Sequence, residues 1–279
     1  MAEITAALVG KLREMTNAGL MDCKKALTEC NGDIDAAVDV LRKKGVAAAA
    51  KKAGREAKEG VIAQHIQPGA RAGVIVEVNC ETDFVAKNES FRAFCDEVAA
   101  LVCANPAADL EPLRAAQVAK IGENILISRH QRLEVAGDGA VAAYIHTGAK
   151  VGVLVEVSAG KAATASQDDF KQLVRDITLQ IAAASPTAVS REDVNPQLVE
   201  KEKEIAAEQV KNKPAQAIAK IVEGKLDKFF QNICLLDQGF VKRNAEITVK
   251  EYINEVSAKL GDQITVRRFY RFQVGETIG

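Results

Sequence analysis

The 279-residue chain predicts an α+β fold on three observations. Adding 79 to each position lays Gly60 to Val102 over Gly139 to Ile181 without a gap, so one unit occurs twice. Within it the buried-strand pattern GVIVEV (Gly73 to Val78) returns as GVLVEV (Gly152 to Val157), and each copy continues with apolar residues at helical spacing. Outside the repeat, the first 45 residues and the segment 186–239 read as helix. Strands beside helices imply a layered α+β sandwich carrying helical additions.

Residues 1–45 predict a compact three-helix module. Thr5 is placed to cap a helix with Leu8, Val9, Leu12 and Met15 on its apolar face, and Asn17-Ala18-Gly19 ends it. A second helix from Asp22 to Cys30 stops at Asn31-Gly32. Asp33 caps a third, which presents Ile34, Ala37, Val38 and Leu41. Residues 46–59 are rich in Ala and Lys with almost no large side chain to dock, which predicts a partly helical linker.

The first α+β subdomain, 60–138, reads as a two-stranded hairpin and then a helix with Phe91, Phe94, Cys95, Val98 and Val102 inward. The alternating segment Glu123 to Val135 completes its sheet. The second, 139–185 with 240–279, repeats the hairpin and a helix with Phe170, Leu173, Val174, Ile177 and Ile181 inward. Its closing part predicts strands at Ile247 to Val249 and Ile264 to Val274 around a helix bearing Tyr252, Ile253, Val256 and Leu260. Between these pieces, Pro196 opens a charged helix, Lys213-Pro214 breaks it, and a second helix shows Ile218, Ile221, Val222, Leu226, Phe229 and Ile233 at spacings of three and four. That pattern predicts an antiparallel helical hairpin inserted at 186–239. Its seam suits self-packing or packing against another chain, because adjoining Phe229 and Phe230 do not both fit one narrow seam.

Charge nearly cancels, with 37 Lys plus Arg against 38 Asp plus Glu, whereas a dedicated nucleic-acid binder carries a basic excess. The basic run from Arg42 to Lys58 is interleaved with Ala and Glu, which favours a solvated helix over a phosphate-binding patch. Six cysteines without C-x-x-C spacing read as core thiols of a reducing compartment, and the charged N-terminus and lack of a long apolar run predict a cytoplasmic protein. His65, His130 and His146 show no metal-ligand spacing. No phosphate loop, nucleophile elbow or other catalytic motif is present, so neither an enzyme nor a cofactor is expected.

The candidate site comes from the repeat. After the strand, the first copy reads Thr82, Asp83, Phe84 where the second has Lys161, Ala162, Ala163. The shared scaffold does not require Thr-Asp-Phe. A structural role would have Asp83 bond the backbone of a turn and Phe84 plug the core. The Ala pair in the other copy argues instead for an aromatic offered to a partner.

Taken together, TNAGLMDCKKALTECNGD (Thr16 to Asp33), EVNCETDFVAKN (Glu77 to Asn88), KIGENI (Lys120 to Ile125) and YIHTGAKVGVLV (Tyr144 to Val155) closely resemble the bacterial elongation factor Ts family across nearly the whole chain. The resemblance implies a guanine-nucleotide exchange factor, without catalytic chemistry of its own, for the translational GTPase elongation factor Tu. It further implies a ubiquitin-associated-like N-terminal module, two related subdomains and an inserted coiled-coil hairpin, with dimerisation through that hairpin left open. By this resemblance Thr82, Asp83, Phe84 and Val85 displace magnesium from the GTPase, with Phe84 as the wedge. Arg13, Leu20 and Met21 touch its nucleotide domain, and His146 with Gly148 forms the second subdomain's contact; no nucleic acid or membrane partner is implied. The family commonly has Met at Leu20 and Gly at Asn17, and many members continue past Val274 to Glu276 into a terminal helical module whose contacts are not expected here. A non-catalytic RNA- or ribosome-associated protein is the alternative.

Overall fold

The computed structural model describes residues 4–16, 18–211 and 213–276, so Asn17 lies outside the described residues. Three helices come first: α1 (Ala6–Thr16), α2 (Leu20–Glu29) and α3 (Ile34–Lys52). They enclose a core of Val9, Leu12, Cys23, Ala26, Leu27 and Ala37. The expected caps form: the Leu8 amide donates to Thr5 Oγ1 at 3.2 Å and the Ala36 amide to Asp33 Oδ1 at 3.0 Å. Met15, expected on the inward face, is 55% exposed, because the core closes at Leu12 one turn earlier.

Helix α3 does not end near residue 45. It runs on to Lys52 through the Ala-rich stretch, where intrinsic propensity favours helix, and the absence of large side chains lets it approach a neighbour closely. Residues 46–52 of the expected linker therefore belong to this helix, with Ala49 buried in the next core.

The first sheet contains β1 (Glu59–Ile66), β2 (Ala72–Cys80) and β3 (Ile125–Glu134), antiparallel in the order β1-β2-β3. Between β2 and β3 lie α4 (Asp83–Lys87), α5 (Glu89–Ala104) and α6 (Glu111–Ile121). The second sheet repeats this with β4 (Gly139–Ile145), β5 (Val151–Ala159), α7 (Ala162–Ser166), α8 (Asp168–Ala184), α9 (Pro196–Glu208), α10 (Ala215–Ile233), α11 (Val249–Leu260) and β6 (Ile264–Gln273), in the order β4-β5-β6. The expected strand at Ile247 to Val249 does not form. Thr248 instead caps α11 in a reciprocal capping box with Glu251, and Val249 becomes its first residue.

The middle strand β2 is buried along its whole length because both of its faces are covered. Val74, Val76, Val78 and Cys80 meet Phe91, Phe94, Cys95 and Val98 of α5. On the opposite face Ile62, Ile75 and Leu133 meet Val141, Leu154 and Phe272 of the second sheet, which packs face to face on the first. The interface is reciprocal. The Ile62 amide donates to the Ala149 carbonyl at 2.7 Å, and the equivalent Val141 amide donates to the equivalent Ala70 carbonyl at 2.8 Å. Gly73 and Gly152 allow this approach, since a Cβ would lie 3.0 Å from Val141 Cγ1 of the other sheet at the first and 2.5 Å from Ile62 Cγ2 of the other sheet at the second.

The repeat also extends further than the 79-residue offset. Adding 139 superposes β3 on β6, α6 on most of α11, and KIGENI (Lys120 to Ile125) on KLGDQI (Lys259 to Ile264). Both middle strands carry a register shift at the same place, after Glu77 and after Glu156. Each of these buried glutamates pairs with its equivalent arginine at 2.7 Å, Arg129 in one half and Arg268 in the other.

Helices α9 and α10 pack on one another and leave the second half by a narrow root. The Thr187 and Ala188 amides donate to the Ile233 carbonyl at 2.9 and 3.1 Å, and Ala188, Val194 and Cys234 form a small core with Phe229, Phe230 and Ile233. Phe230 is accommodated by the Arg191 guanidinium, 4.8 Å from its ring centroid.

Candidate functional site

The strand β2 ends at Cys80, and Thr82 turns the chain into the single-turn helix α4. Thr82 is extended (φ −123°, ψ 153°) and its hydroxyl accepts from the Val85 amide at 3.3 Å, so it is an N-cap. The region expected as a turn is thus a short helix. Within one turn, successive side chains are separated by about 100°, and two of the five positions face the core. These are Val85, which packs against the first core, and Ala86, which is buried.

That anchorage turns Phe84 outward. It is 81% exposed, the largest exposure among the large apolar side chains of the described residues, and it does not plug the core. The Asp83 carboxylate accepts from Lys87 Nζ at 2.7 Å one turn later. This hydrogen bond holds the Asp83 carboxyl below its ordinary value. Asn88 then caps α5 by accepting from the Ser90 and Phe91 amides at 2.8 and 3.3 Å, so α4 is bounded by a capping residue at each end.

The root of α4 contains a residue the sequence reading passed over. Glu123 reaches across from the loop before β3 and accepts from the Glu81 amide and the Thr82 amide, both at 3.0 Å, through Oε2. Its Oε1 accepts from the Thr82 hydroxyl at 2.7 Å. Beside it the Cys80 thiol, buried first of all and then facing this carboxylate's charge, is pushed up to about 12. The sequence signal was present in the KIGENI and KLGDQI correspondence, which marks the Glu123 position as shared scaffold.

The second half offers the control. Helix α7 has no side-chain cap, Ala163 stands exposed at the Phe84 position, and Thr164 is buried at the Val85 position. Asp262, equivalent to Glu123, accepts from the Lys161 amide at 3.0 Å, and Lys161 Nζ donates to the Gly261 carbonyl at 2.6 Å. The geometry is retained and the aromatic ring is missing.

The other expected contact residues lie on separate elements. Arg13 is exposed on α1, and Leu20 and Met21 are 53% and 61% exposed at the start of α2. With Met15 they make an apolar surface around the α1–α2 turn that does not contribute to the module's core. His146 and Gly148 are exposed at the tip joining β4 to β5, where Gly148 has φ +86°. His146 Nδ1 and the Tyr144 hydroxyl are 2.9 Å apart. The same tip supplies the Ala149 carbonyl bonded by Ile62, so this candidate contact is fastened to the first half.

The basic run from Arg42 to Lys58 is engaged within the protein at several points. Lys44 pairs with Glu29 at 2.8 Å, Arg55 with Glu81 at 3.5 Å and Lys58 with Glu56 at 2.6 Å, while Lys52 donates to the Gly122 carbonyl. Among the described residues there is no cluster of three or more His, Cys, Asp or Glu side chains suited to a metal, and no helix is long and apolar enough to cross a membrane.

Comparison with known proteins places these features in context. Residues 81–276 match the family described as Elongation factor TS. Over its whole length the chain is 48% identical to Elongation factor Ts of Symbiobacterium thermophilum, covering 94% of that protein. It is 45% identical to Elongation factor Ts of Trichlorobacter lovleyi, with 98% of this chain and 93% of the relative covered, and 44% identical to that of Clostridium perfringens, with 99% and 94% covered.

Proposed function

The chain belongs to the elongation factor Ts family, and from that premise we propose that Phe84 is the wedge by which it opens the nucleotide site of its partner GTPase. The protein is a translation elongation factor, the nucleotide exchange factor for elongation factor Tu. It makes and breaks no covalent bond. The single observation that carries the wedge reading is an aromatic ring 81% exposed on a rigidly capped single-turn helix. Folding leaves that ring in water, and its burial becomes available to a complex.

Exchange is a linkage between two ligands of one GTPase: a factor that prefers the nucleotide-free form weakens GDP to the same degree that GDP weakens the factor. Moving the partner from almost fully bound to almost fully free takes about 5.5 kcal/mol of differential affinity. Burying one Phe supplies roughly 1.5 to 3 kcal/mol, so other contacts are required. In this reading the ubiquitin-associated-like module grips the nucleotide domain through Arg13, Leu20 and Met21, and His146 with Gly148 makes a second contact. The four residues Thr82 to Val85 then enter near the magnesium and phosphates, with Phe84 leading and Asp83 held to Lys87. The coiled-coil hairpin, α9 with α10, is a separate appendage whose exposed Leu198 and Ile205 suit a further contact with the partner or a second copy. A cytoplasmic location follows from the work.

The direct test is Phe84→Ala with stopped-flow release of labelled GDP. The variant is expected to bind the GTPase and to accelerate release roughly ten- to a hundredfold less at saturation, as loss of one buried ring implies. A wild-type release rate would reject the wedge role.

A further inference from the structure

We infer that Glu123 is the positioning residue of the exchange site, acting on the GTPase only through the setting of Phe84, and that it ties the wedge helix to α3. The inference rests on the wedge reading above and adds the part that aims the wedge.

A single-turn helix has too few internal hydrogen bonds to hold its own direction, since its first four amides lack intrahelical partners. For α4 that direction comes from outside. The Glu123 carboxylate takes three hydrogen bonds from Glu81 and Thr82, two from backbone amides and one from a hydroxyl, all at 3.0 Å or less. Charge-assisted bonds of this length are among the stronger ones a protein makes. Thr82 is at once the residue gripped by Glu123 and the cap of α4, so its hydroxyl donates to the carboxylate while accepting from Val85. Phe84 is two residues beyond that grip.

The loop that carries Glu123 is held by the other side of the molecule. The Gly122 carbonyl accepts from Lys52 at the end of α3, Asn124 is fully buried, and its Nδ2 donates to the Arg55 carbonyl at 2.7 Å. The Asn124 amide donates to Glu81 Oε1 at 2.6 Å, and Arg55 pairs with that same carboxylate. Higher up, Gly45 of α3 sits against the Ala115 carbonyl of α6, with room for a Cβ only at 3.4 Å. A continuous chain of contacts thus runs from α3, which is part of the N-terminal core, through residues 122–124 to the root of α4. In the half without the aromatic, the equivalent Gln263 is exposed, with no helix over it among the described residues. Among the described residues, this connection to α3 is built on the side that bears Phe84.

The experiment is a double-mutant cycle on the full-length chain, reading the plateau rate of labelled GDP release and the factor concentration at half-saturation. Glu123→Ala should lower the plateau about tenfold, the loss expected when a charge-assisted support is removed, with half-saturation almost unchanged. In the Phe84→Ala background the same change should add nothing, as expected if Glu123 acts through the setting of that ring and not through Thr82 or Asp83 on their own. Glu123→Gln, which keeps an acceptor oxygen, should recover part of the rate, and Asp262→Ala in the other half should leave it at the wild-type value. If Glu123→Ala fails to fold by circular dichroism, the cycle is run with Glu123→Gln. Additive losses in the cycle, or a shift in half-saturation alone, would overturn the inference while leaving the wedge intact. A Phe84→Ala variant of wild-type rate would overturn both.

Discussion

The two halves of the repeat share a scaffold and differ at its edges. Both have the three-stranded antiparallel sheet, the register shift beside a buried Glu–Arg pair, the long helix behind the sheet and the short helix after the middle strand. In the first half that short helix is capped by Thr82, gripped by Glu123 and crowned by Phe84; in the second it begins at uncapped Lys161 and carries Ala163. Around α6 the first half is covered by α3, whereas the equivalent face of α11 borders an open cleft of about 610 Å³ lined by Asn254, Ser257 and Gln263. Burial of the shared scaffold and exposure of an aromatic ring are therefore separable here. The capped turn, its carboxylate grip through Thr82 and the exposed ring of the first half are gathered at one end of β2.

The equivalence of the two scaffolds is testable at the shared positions. Gly60 and Gly139 open their hairpins with φ +147° and +141°, and a Cβ on either would lie 2.2 Å from a backbone carbonyl, Val78 or Val157. Gly60→Ala and Gly139→Ala should each destabilise the protein by about 3 kcal/mol, since backbone cannot retreat as a side chain can. Denaturant titration giving strongly unequal losses would show that the halves are not equivalent as scaffolds.

At the positions that differ, the two halves should respond unequally. Thr82→Ala removes the cap of α4 and one bond to Glu123, and should cost about 1 kcal/mol of stability, with a loss of exchange smaller than that of Phe84→Ala. Lys161→Ala in the other half, where no side-chain cap exists, should leave exchange unchanged. Equal effects of the two substitutions on GDP release would remove the functional distinction between the halves.

The smallest expected effect is one of pH. The hydrogen bond from Lys87 depresses the Asp83 carboxyl below its ordinary 3.8, so folding gains from this pair above that value and loses the gain as pH falls through the depressed one. Asp83→Asn should accordingly match the wild type more closely in acid than at neutral pH. A stability difference that instead grew on acidification below about pH 4 would reverse the sign and exclude this pair as its source.

Much of this was legible from residue patterns because repetition and periodicity are local signals. The gap-free offset gave the two hairpins and their helices, and the absent aromatic in one copy singled out Phe84. Capping chemistry at Thr5 and Asp33 was equally readable, since the acceptor lies three residues from the amide it serves. What escaped depends on tertiary context. Alternation at Ile247 to Val249 suggested a strand, but Thr248 and Glu251 satisfy each other locally and start a helix. The Ala-rich stretch after Gly45 reads as linker because it lacks large side chains to bury, yet smallness is what lets α3 lie against α6. Glu123 was missed because its partners are more than forty positions away, and only the second, longer offset of the repeat reveals that its place is structurally defined.

The crossed hydrogen bonds at Ala70 and Ala149 have a further consequence. Each half completes the other by the same groups, as two identical subunits do about a dyad. Cut apart, each would bare the same sticky, self-matching surface, so the joined polypeptide is a tethered dimer in which one member was left free to change.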